Sequence, residues 1–109
     1  MRDSTHIDLG PLGISVRDLD AGTTRRLGIP DIYGVLISDV DAAGPARLAG
    51  VRLGQVLLEI NRHQVTSTSQ YRAAVAALRP GEPAAVLVYD PRSDQRAIYV
   101  VSLDPRQTP

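Results

Sequence analysis

The chain has 109 residues, enough for one compact domain, and 43% of them are hydrophobic against 22% charged, as in soluble globular proteins. Twelve basic and twelve acidic residues give a formal net charge of zero, which removes the electrostatic argument for nucleic acid or an anionic membrane as a partner. The absence of cysteine excludes disulfides and thiolate metal sites, and no apolar stretch approaches the roughly 20 residues that span a bilayer.

The two ends of the chain are polar and are predicted to lie outside the folded unit. We expect residues 1–9 to be a linker or the cut end of a longer chain, residues 10–103 to be one domain, and residues 104–109 to be a flexible tail. No secretory signal is expected within residues 1–9, because they lack an apolar segment. Residue types of a catalytic triad occur among residues 1–9, but no secondary structure is predicted there to fix their geometry, so no catalysis is expected. These residues are Asp3, Ser4, His6 and Asp8.

The first half of the chain alternates short strands with short helices. Residues 14–18 alternate apolar and polar side chains, which indicates a half-buried strand. Asp20 can cap a short helix that ends at Gly28, because glycine accepts the left-handed conformation of a helix end. The β-branched run 34–40 predicts a central strand, and segment 44–50, with Pro near its start and Gly at its end, predicts a helix of one or two turns.

The second half contains the longest helix. Residues 56–60 are predicted to form a strand, and residues 61–65 a tight turn with a brief return. Hydroxyl side chains at 66–69 offer helix caps, and Pro80 with Gly81 would end the helix. The apolar residues on one face of this helix, at i, i+3, i+4 and i+7, are Tyr71, Ala74, Val75 and Leu78. Two strands, 85–89 and 97–103, complete the chain as a hairpin.

These elements predict an α+β fold: a small, partly open barrel or sandwich of five to six strands, capped by one long helix and one or two short ones. Composition and periodicity alone lead no further than this fold class.

Three local sequences are distinctive. They are GPLGI at residues 10–14, a small-residue strand followed by GPARLAG and LGQVL within residues 34–57, and EINRHQV at residues 59–65. Together with the order of the elements, they resemble the PDZ domains of bacterial HtrA (Do-type) serine proteases, in their permuted arrangement. The first is similar to the family's carboxylate-binding loop, the second to its S-P-A-x-x-A-G and G-D-x-I segments, and the third to its I-N-G-x-x-V turn. The match as a whole covers residues 10–103.

The chain departs from the family pattern at three positions. Gln55 replaces the usual Asp of the G-D step, and Arg62 replaces the usual Gly of the N-G turn. Arginine accepts a positive φ less readily than glycine does, at a cost of about 1 kcal/mol. Pro11 stands where many members carry an aromatic or charged residue.

The resemblance implies that the domain binds the carboxyl terminus of another protein as an added strand along residues 14–17. The terminal carboxylate would accept hydrogen bonds from the backbone amides of Leu12, Gly13 and Ile14, and the last side chain would enter an apolar pocket. The expected peptide-binding residues are Leu12, Gly13, Ile14, Ser15, Val16, Arg17, Gln70, Tyr71, Ala74, Val75 and Leu78.

Two narrower expectations come with this site. Gln70 stands where domains that prefer Ser or Thr two residues before the terminus carry His, so an apolar-terminated ligand without that preference is expected. The substitution Gly13→Val is expected to abolish peptide binding and to leave the fold largely intact.

The resemblance also implies a place in a larger protein. The chain would be a non-catalytic fragment of a periplasmic or envelope serine endopeptidase, whose trypsin-like domain lies outside it on the N-terminal side, and the end after Leu103 suggests the last PDZ domain of that protein. Its partners would be C-terminal peptides, as in quality control of misfolded substrates, together with the parent protease domain and homo-oligomer contacts. No cofactor, metal, nucleic acid or membrane insertion is expected, and His63 is interpreted as a solvated turn residue.

Three alternatives remain open from the sequence. The groove of an assembly domain would be filled by its own chain or by a neighbouring subunit. The parent could instead be a site-2 or C-terminal-processing protease, or a secretion component. An enzyme in its own right is disfavoured, because no nucleophile–base pair is present.

Overall fold

The computed structural model describes residues 9–29, 32–79 and 81–103. The expected linker, the triad-like residues of the N-terminal end, Pro80 and the C-terminal tail therefore fall outside the described residues. The elements in chain order are β1 (Ile14–Asp18), α1 (Ala21–Leu27), β2 (Val35–Val40), α2 (Pro45–Ala49), β3 (Val56–Ile60), β4 (His63–Gln64), α3 (Thr68–Ala76), β5 (Pro83–Asp90) and β6 (Gln95–Ser102).

The strands form one antiparallel sheet in the order β1-β2-β3-β5-β6, with the short β4 paired to β3. β1 and β6 are consequently the two edge strands. The predicted α+β fold of up to six strands with one longer and two shorter helices is confirmed, as an open sheet.

The short helices begin and end where the sequence predicts. Asp20 caps α1, its carboxylate accepting a hydrogen bond from the Thr23 amide at 2.7 Å, and this bond lowers the pKa of Asp20. α2 begins at Pro45 and is ended by Gly50 at φ 114°. α3 is capped by Ser67, whose hydroxyl accepts from the Gln70 amide at 3.1 Å.

Two apolar clusters hold the sheet, one on each face. The larger cluster lies between the sheet and helices α2 and α3, and the smaller one contains Ile29, Val56, Leu58 and Tyr89. β3 is buried on both faces, which explains its uninterrupted apolar sequence.

The turn between β3 and β4 carries the departure from the family pattern at Arg62. Asn61 and Arg62 both adopt positive φ, 50° and 70°. Asn61 also links this turn to β5. Its backbone amide donates to the Ala85 carbonyl at 2.7 Å, and its side-chain oxygen accepts from the Ala85 backbone amide at 2.8 Å. Both bonds help to hold the strained turn in place.

Candidate functional site

A groove of about 460 Å³ separates the edge of β1 from α3. β1 pairs only with β2 among the described strands, so its other edge faces this groove. The lining residues are Leu9, Gly10, Ile14, Ser15, Val16, Thr68, Tyr71, Arg72, Val75 and Ala76. An open strand edge beside a helix leaves backbone donors and acceptors available to an extended peptide.

The strand side of the groove is built by the first residues of β1. Ile14, Ser15 and Val16, three of the expected peptide-binding residues, all line it. Leu12 does not line the groove, because its side chain is 1% exposed and belongs to the larger apolar cluster. Arg17 is exposed and lines a different depression, on the far side of β1, so only its backbone can serve the groove.

The helix side of the groove differs from the sequence prediction. Tyr71 and Val75 line it, but the side chains of the expected residues Gln70, Ala74 and Leu78 line a separate depression on the opposite flank of α3. The side-chain oxygen of Gln70 instead accepts hydrogen bonds from the backbone amide and the hydroxyl of Thr66, at 2.7 and 2.6 Å. The specificity expectation attached to Gln70 therefore loses its structural basis.

The groove-facing stripe of α3 is formed by Thr68, Arg72 and Val75, at i, i+4 and i+7. Apolar periodicity identifies the buried face of a helix, whereas a groove wall is the flank beside that face, where polar residues are tolerated. The stripe Tyr71-Ala74-Val75-Leu78 marked the buried face. Thr68, Arg72 and Ala76 were missed for this reason. Leu9 was missed because it precedes the recognised loop motif, and Gly10 because only the later residues of that motif were expected to contact the ligand.

The hydrogen bonding of the loop before β1 also differs from the prediction, at the backbone amides of Leu12, Gly13 and Ile14. All three were expected to be unpaired, but Gly13 donates to the Gly10 carbonyl at 3.1 Å and Ile14 donates to the Leu9 carbonyl at 3.0 Å. The loop closes on itself because Gly10 and Gly13 adopt φ of 69° and 78°. The Leu12 amide makes no hydrogen bond to another described residue.

The same loop is anchored firmly to its surroundings through its carbonyl groups. The Leu12 carbonyl accepts from the Ala46 amide at 3.0 Å, and the Gly13 carbonyl accepts from the Asp41 amide at 2.8 Å. Gly13 is buried, and a Cβ built on it would lie 3.3 Å from the Cα of Gly44. This packing and the positive φ of Gly13 count against the expectation that Gly13→Val leaves the fold intact.

The far end of the groove is closed by one hydrogen bond between β1 and α3. The carboxylate of Asp18, the last residue of β1, accepts from the amide of Thr68, the first residue of α3, at 2.7 Å. Between this bond and the loop lies the exposed Arg72, which contacts no carboxylate of the described residues. Burial raises the pKa of Tyr71 at the groove floor, so its phenol stays neutral to a higher pH than that of an exposed tyrosine.

No helix in the described part of the chain is long and apolar enough to cross a membrane. Over the same residues, no three His, Asp or Glu side chains lie close enough together to hold a metal ion.

Comparison with known proteins places these features in context. A sequence model of the PDZ domain family matches residues 10–98. A probable periplasmic serine endoprotease, DegP-like, from Chlamydia muridarum is 33% identical over 72 residues, which are 66% of this chain and 14% of that protein. Serine endoprotease DegS from Salmonella typhimurium is 27% identical over 95 residues, 86% of this chain and 26% of that protein.

Among solved structures, the HtrA-type protease AlgW with a decapeptide superposes with a TM-score of 0.76 at 26% identity, covering 85% of this chain and 28% of that one. The chain thus spans only 14% to 28% of these proteins.

Proposed function

The chain belongs to the PDZ domain family, and on that basis we propose that it is the peptide-recognition module of an HtrA-type serine protease and binds carboxyl-terminal peptides between β1 and α3. The observation that carries the proposal is the unpaired edge of β1 beside a groove with an apolar floor. Its relatives named as DegP-like and DegS proteases, and the AlgW structure with a decapeptide, support the same assignment.

Binding would proceed by strand addition. A peptide running antiparallel to β1 would exchange backbone hydrogen bonds with Ser15 and its neighbours, each contributing about 1 kcal/mol net. Its terminal side chain would rest on Ile14, Val16 and Val75, and its burial would contribute about 1.5–3 kcal/mol. Ordering the peptide offsets much of this gain, so the expected dissociation constant is on the order of micromolar.

Capture of the terminal carboxylate would require a rearrangement of the loop. The Leu12 amide can donate at once, whereas the amides of Gly13 and Ile14 must exchange their bonds to Gly10 and Leu9 for bonds to the ligand. Hydrogen bonds to a charged acceptor are about twice as strong as neutral ones, so this exchange favours the bound state. The closed loop would then be the resting state of the carboxylate site.

The proposed unit is residues 10–103, and the proteolytic activity would reside in a domain outside this chain. The name of the DegP-like relatives supports a periplasmic or envelope location. The protease domain of the parent protein and homo-oligomer contacts are further proposed partners. The chain itself would select ligands and release them, which suits a module of micromolar affinity.

The proposal is tested with one pair of peptides. A ten-residue peptide ending in valine is titrated into the ¹⁵N-labelled domain, once with a free carboxylate and once amidated. We expect saturable binding of the free form only, with amide shift changes at residues 12–16 and along the Thr68–Val75 flank of α3. Equal binding of the amidated peptide would contradict carboxylate capture. Binding of neither peptide to the folded domain would favour an assembly role instead.

A further inference from the structure

A depression that shares no lining residue with the groove is formed by three arginines and no carboxylate. It encloses about 290 Å³ between the end of β2, the connection from α2 to β3, and the β5–β6 turn. Its lining residues are Val40, Ala42, Arg47, Arg52, Leu53 and Arg92. The three arginines are exposed, so a chain of zero net charge concentrates three positive charges at one place.

The acidic residues near these arginines are directed elsewhere. One carboxylate oxygen of Asp90 accepts from the backbone amide of Arg92 at 2.9 Å, and Asp94 accepts from the Tyr89 hydroxyl at 2.6 Å. Across residues 9–29, 32–79 and 81–103, no carboxylate forms an ion pair or a hydrogen bond with any of the three guanidinium groups. No direct ion pair within the described residues therefore neutralises these three guanidinium groups.

A buried glutamine holds the two loops of the cluster together. Gln55 is 3% exposed; its side-chain oxygen accepts from the Arg52 amide at 2.9 Å, and its nitrogen donates to Asp90 at 3.4 Å. The guanidinium of Arg92 also donates to the Leu53 carbonyl at 3.2 Å, which leaves further N–H groups for another acceptor. These bonds hold the backbone at Arg52 and the guanidinium of Arg92 in place before any ligand arrives.

We propose that this arginine cluster (Arg47, Arg52 and Arg92) is a docking site for an acidic segment of another protein, in which Glu or Asp side chains flank an apolar residue. Guanidinium groups bind carboxylates through paired hydrogen bonds. Leu53 lies among them and is 55% exposed, so an apolar side chain of the partner would cover it. A small anion would gain nothing from that leucine.

The test uses a blocked peptide, acetyl-Glu-Glu-Leu-Glu-Glu-amide, which has no terminal carboxylate for the groove. Titrated into the ¹⁵N-labelled domain at low salt, it is expected to shift the amides of Arg47, Arg52 and Arg92 and to leave the groove unchanged. Its dissociation constant should rise with ionic strength. The double variant Arg52→Gln with Arg92→Gln should weaken binding about tenfold, since two ion pairs are lost.

The matched control removes the same charge elsewhere: Arg25→Gln with Arg26→Gln, on exposed positions of α1. Equal weakening by the control variant would overturn the proposal in favour of general electrostatics, as would equal binding of the neutral peptide acetyl-Gln-Gln-Leu-Gln-Gln-amide. Competition by inorganic phosphate as effective as the peptide itself would show a simple anion site and overturn the protein partner. A folded double variant with unchanged affinity would reject the site altogether.

Discussion

Arg72 is the charged side chain that the groove presents to a ligand. It stands on α3 between Thr68 at the far end and Val75 near the loop, about 4.5 Å along the helix axis from Val75. In an added strand, side chains that face the helix recur about every 6.6 Å. If the terminal side chain rests beside Val75, the side chain two residues earlier lies close to Arg72.

We therefore expect the domain to prefer Glu over Lys two residues before the carboxyl terminus, by about two- to fivefold, the range of an exposed ion pair. The substitution Arg72→Glu should reverse the preference, because it reverses the sign of the interaction. Fluorescence polarisation with the two peptides against both proteins measures this. Arg96→Glu, on the opposite edge strand, is the control and should leave the preference unchanged. An unaltered preference in the Arg72 variant would exclude this side chain as the determinant.

Gly13 combines a positive φ with close packing, and the two effects can be separated. At φ 78°, a Cβ would be strained by about 1–2 kcal/mol and would also lie 3.3 Å from the Cα of Gly44. Gly10, at φ 69°, has no atom within 4 Å of an added Cβ. We expect Gly13→Ala to lower the free energy of unfolding in urea more than Gly10→Ala does. Equal losses would mean that crowding against α2 contributes nothing.

At the scale of elements, the bond from Thr68 to Asp18 sets how α3 stands against β1. Removing the acceptor with Asp18→Ala should lower the free energy of unfolding by about 1 kcal/mol and weaken binding of the valine-terminated peptide, because one end of the groove is released. Ser67→Ala removes a cap of the same helix without touching that bond, and its stability cost is similar. Only the Asp18 variant should lose peptide affinity; equal affinities in the two variants would contradict this role.

The sequence predicted most elements because their end signals are local. Asp20, Gly28, Pro45 and Gly50 each act on the backbone within a few residues, and the structure has the helix ends at those positions. The flank of α3 that faces the groove was not predictable in this way. Which flank faces the groove depends on how the helix is rotated about its axis above the sheet. The hydrogen bond between α3 and Asp18 of β1 helps to fix that rotation, and no local sequence pattern predicts it.

The closed loop before β1 illustrates the same limit at the scale of single hydrogen bonds. The motif GPLGI correctly indicated a loop of backbone amides beside a strand edge. It could not show whether those amides are paired, because the Ile14 amide can donate either to the Leu9 carbonyl, as it does here, or to a ligand. That competition is decided by the positive φ of two glycines and by anchors on α2, which are separated from the loop in sequence.

At the scale of the whole molecule, the change in the free energy of unfolding between about pH 9 and 11.5 depends on the ionisation of tyrosine side chains. All twelve basic side chains are arginine and the chain has no cysteine, so between about pH 9 and 11.5 no other side chain titrates. The pKa of Tyr71 is raised by burial, that of Tyr89 by its hydrogen bond to Asp94, and that of Tyr33 by desolvation and Glu59. A tyrosine whose pKa is raised in the folded state stabilises the domain fully at pH values below the ordinary pKa of 10.0. This stabilisation is lost as the pH rises above 10.0 towards the raised pKa.

Tyr71 should dominate this loss, since its pKa is raised the most of the three. By pH 11 the unfolded chain has ionised at this residue while the folded domain has not, which lowers the free energy of unfolding by about 1.4 kcal/mol. In Tyr71→Phe that part of the decline disappears, and a smaller slope from Tyr33 and Tyr89 remains. Urea unfolding of both proteins at pH 8 and pH 11 provides the measurement. A decline of the same size in the variant would show that ionisation at Tyr71 does not limit the domain at high pH.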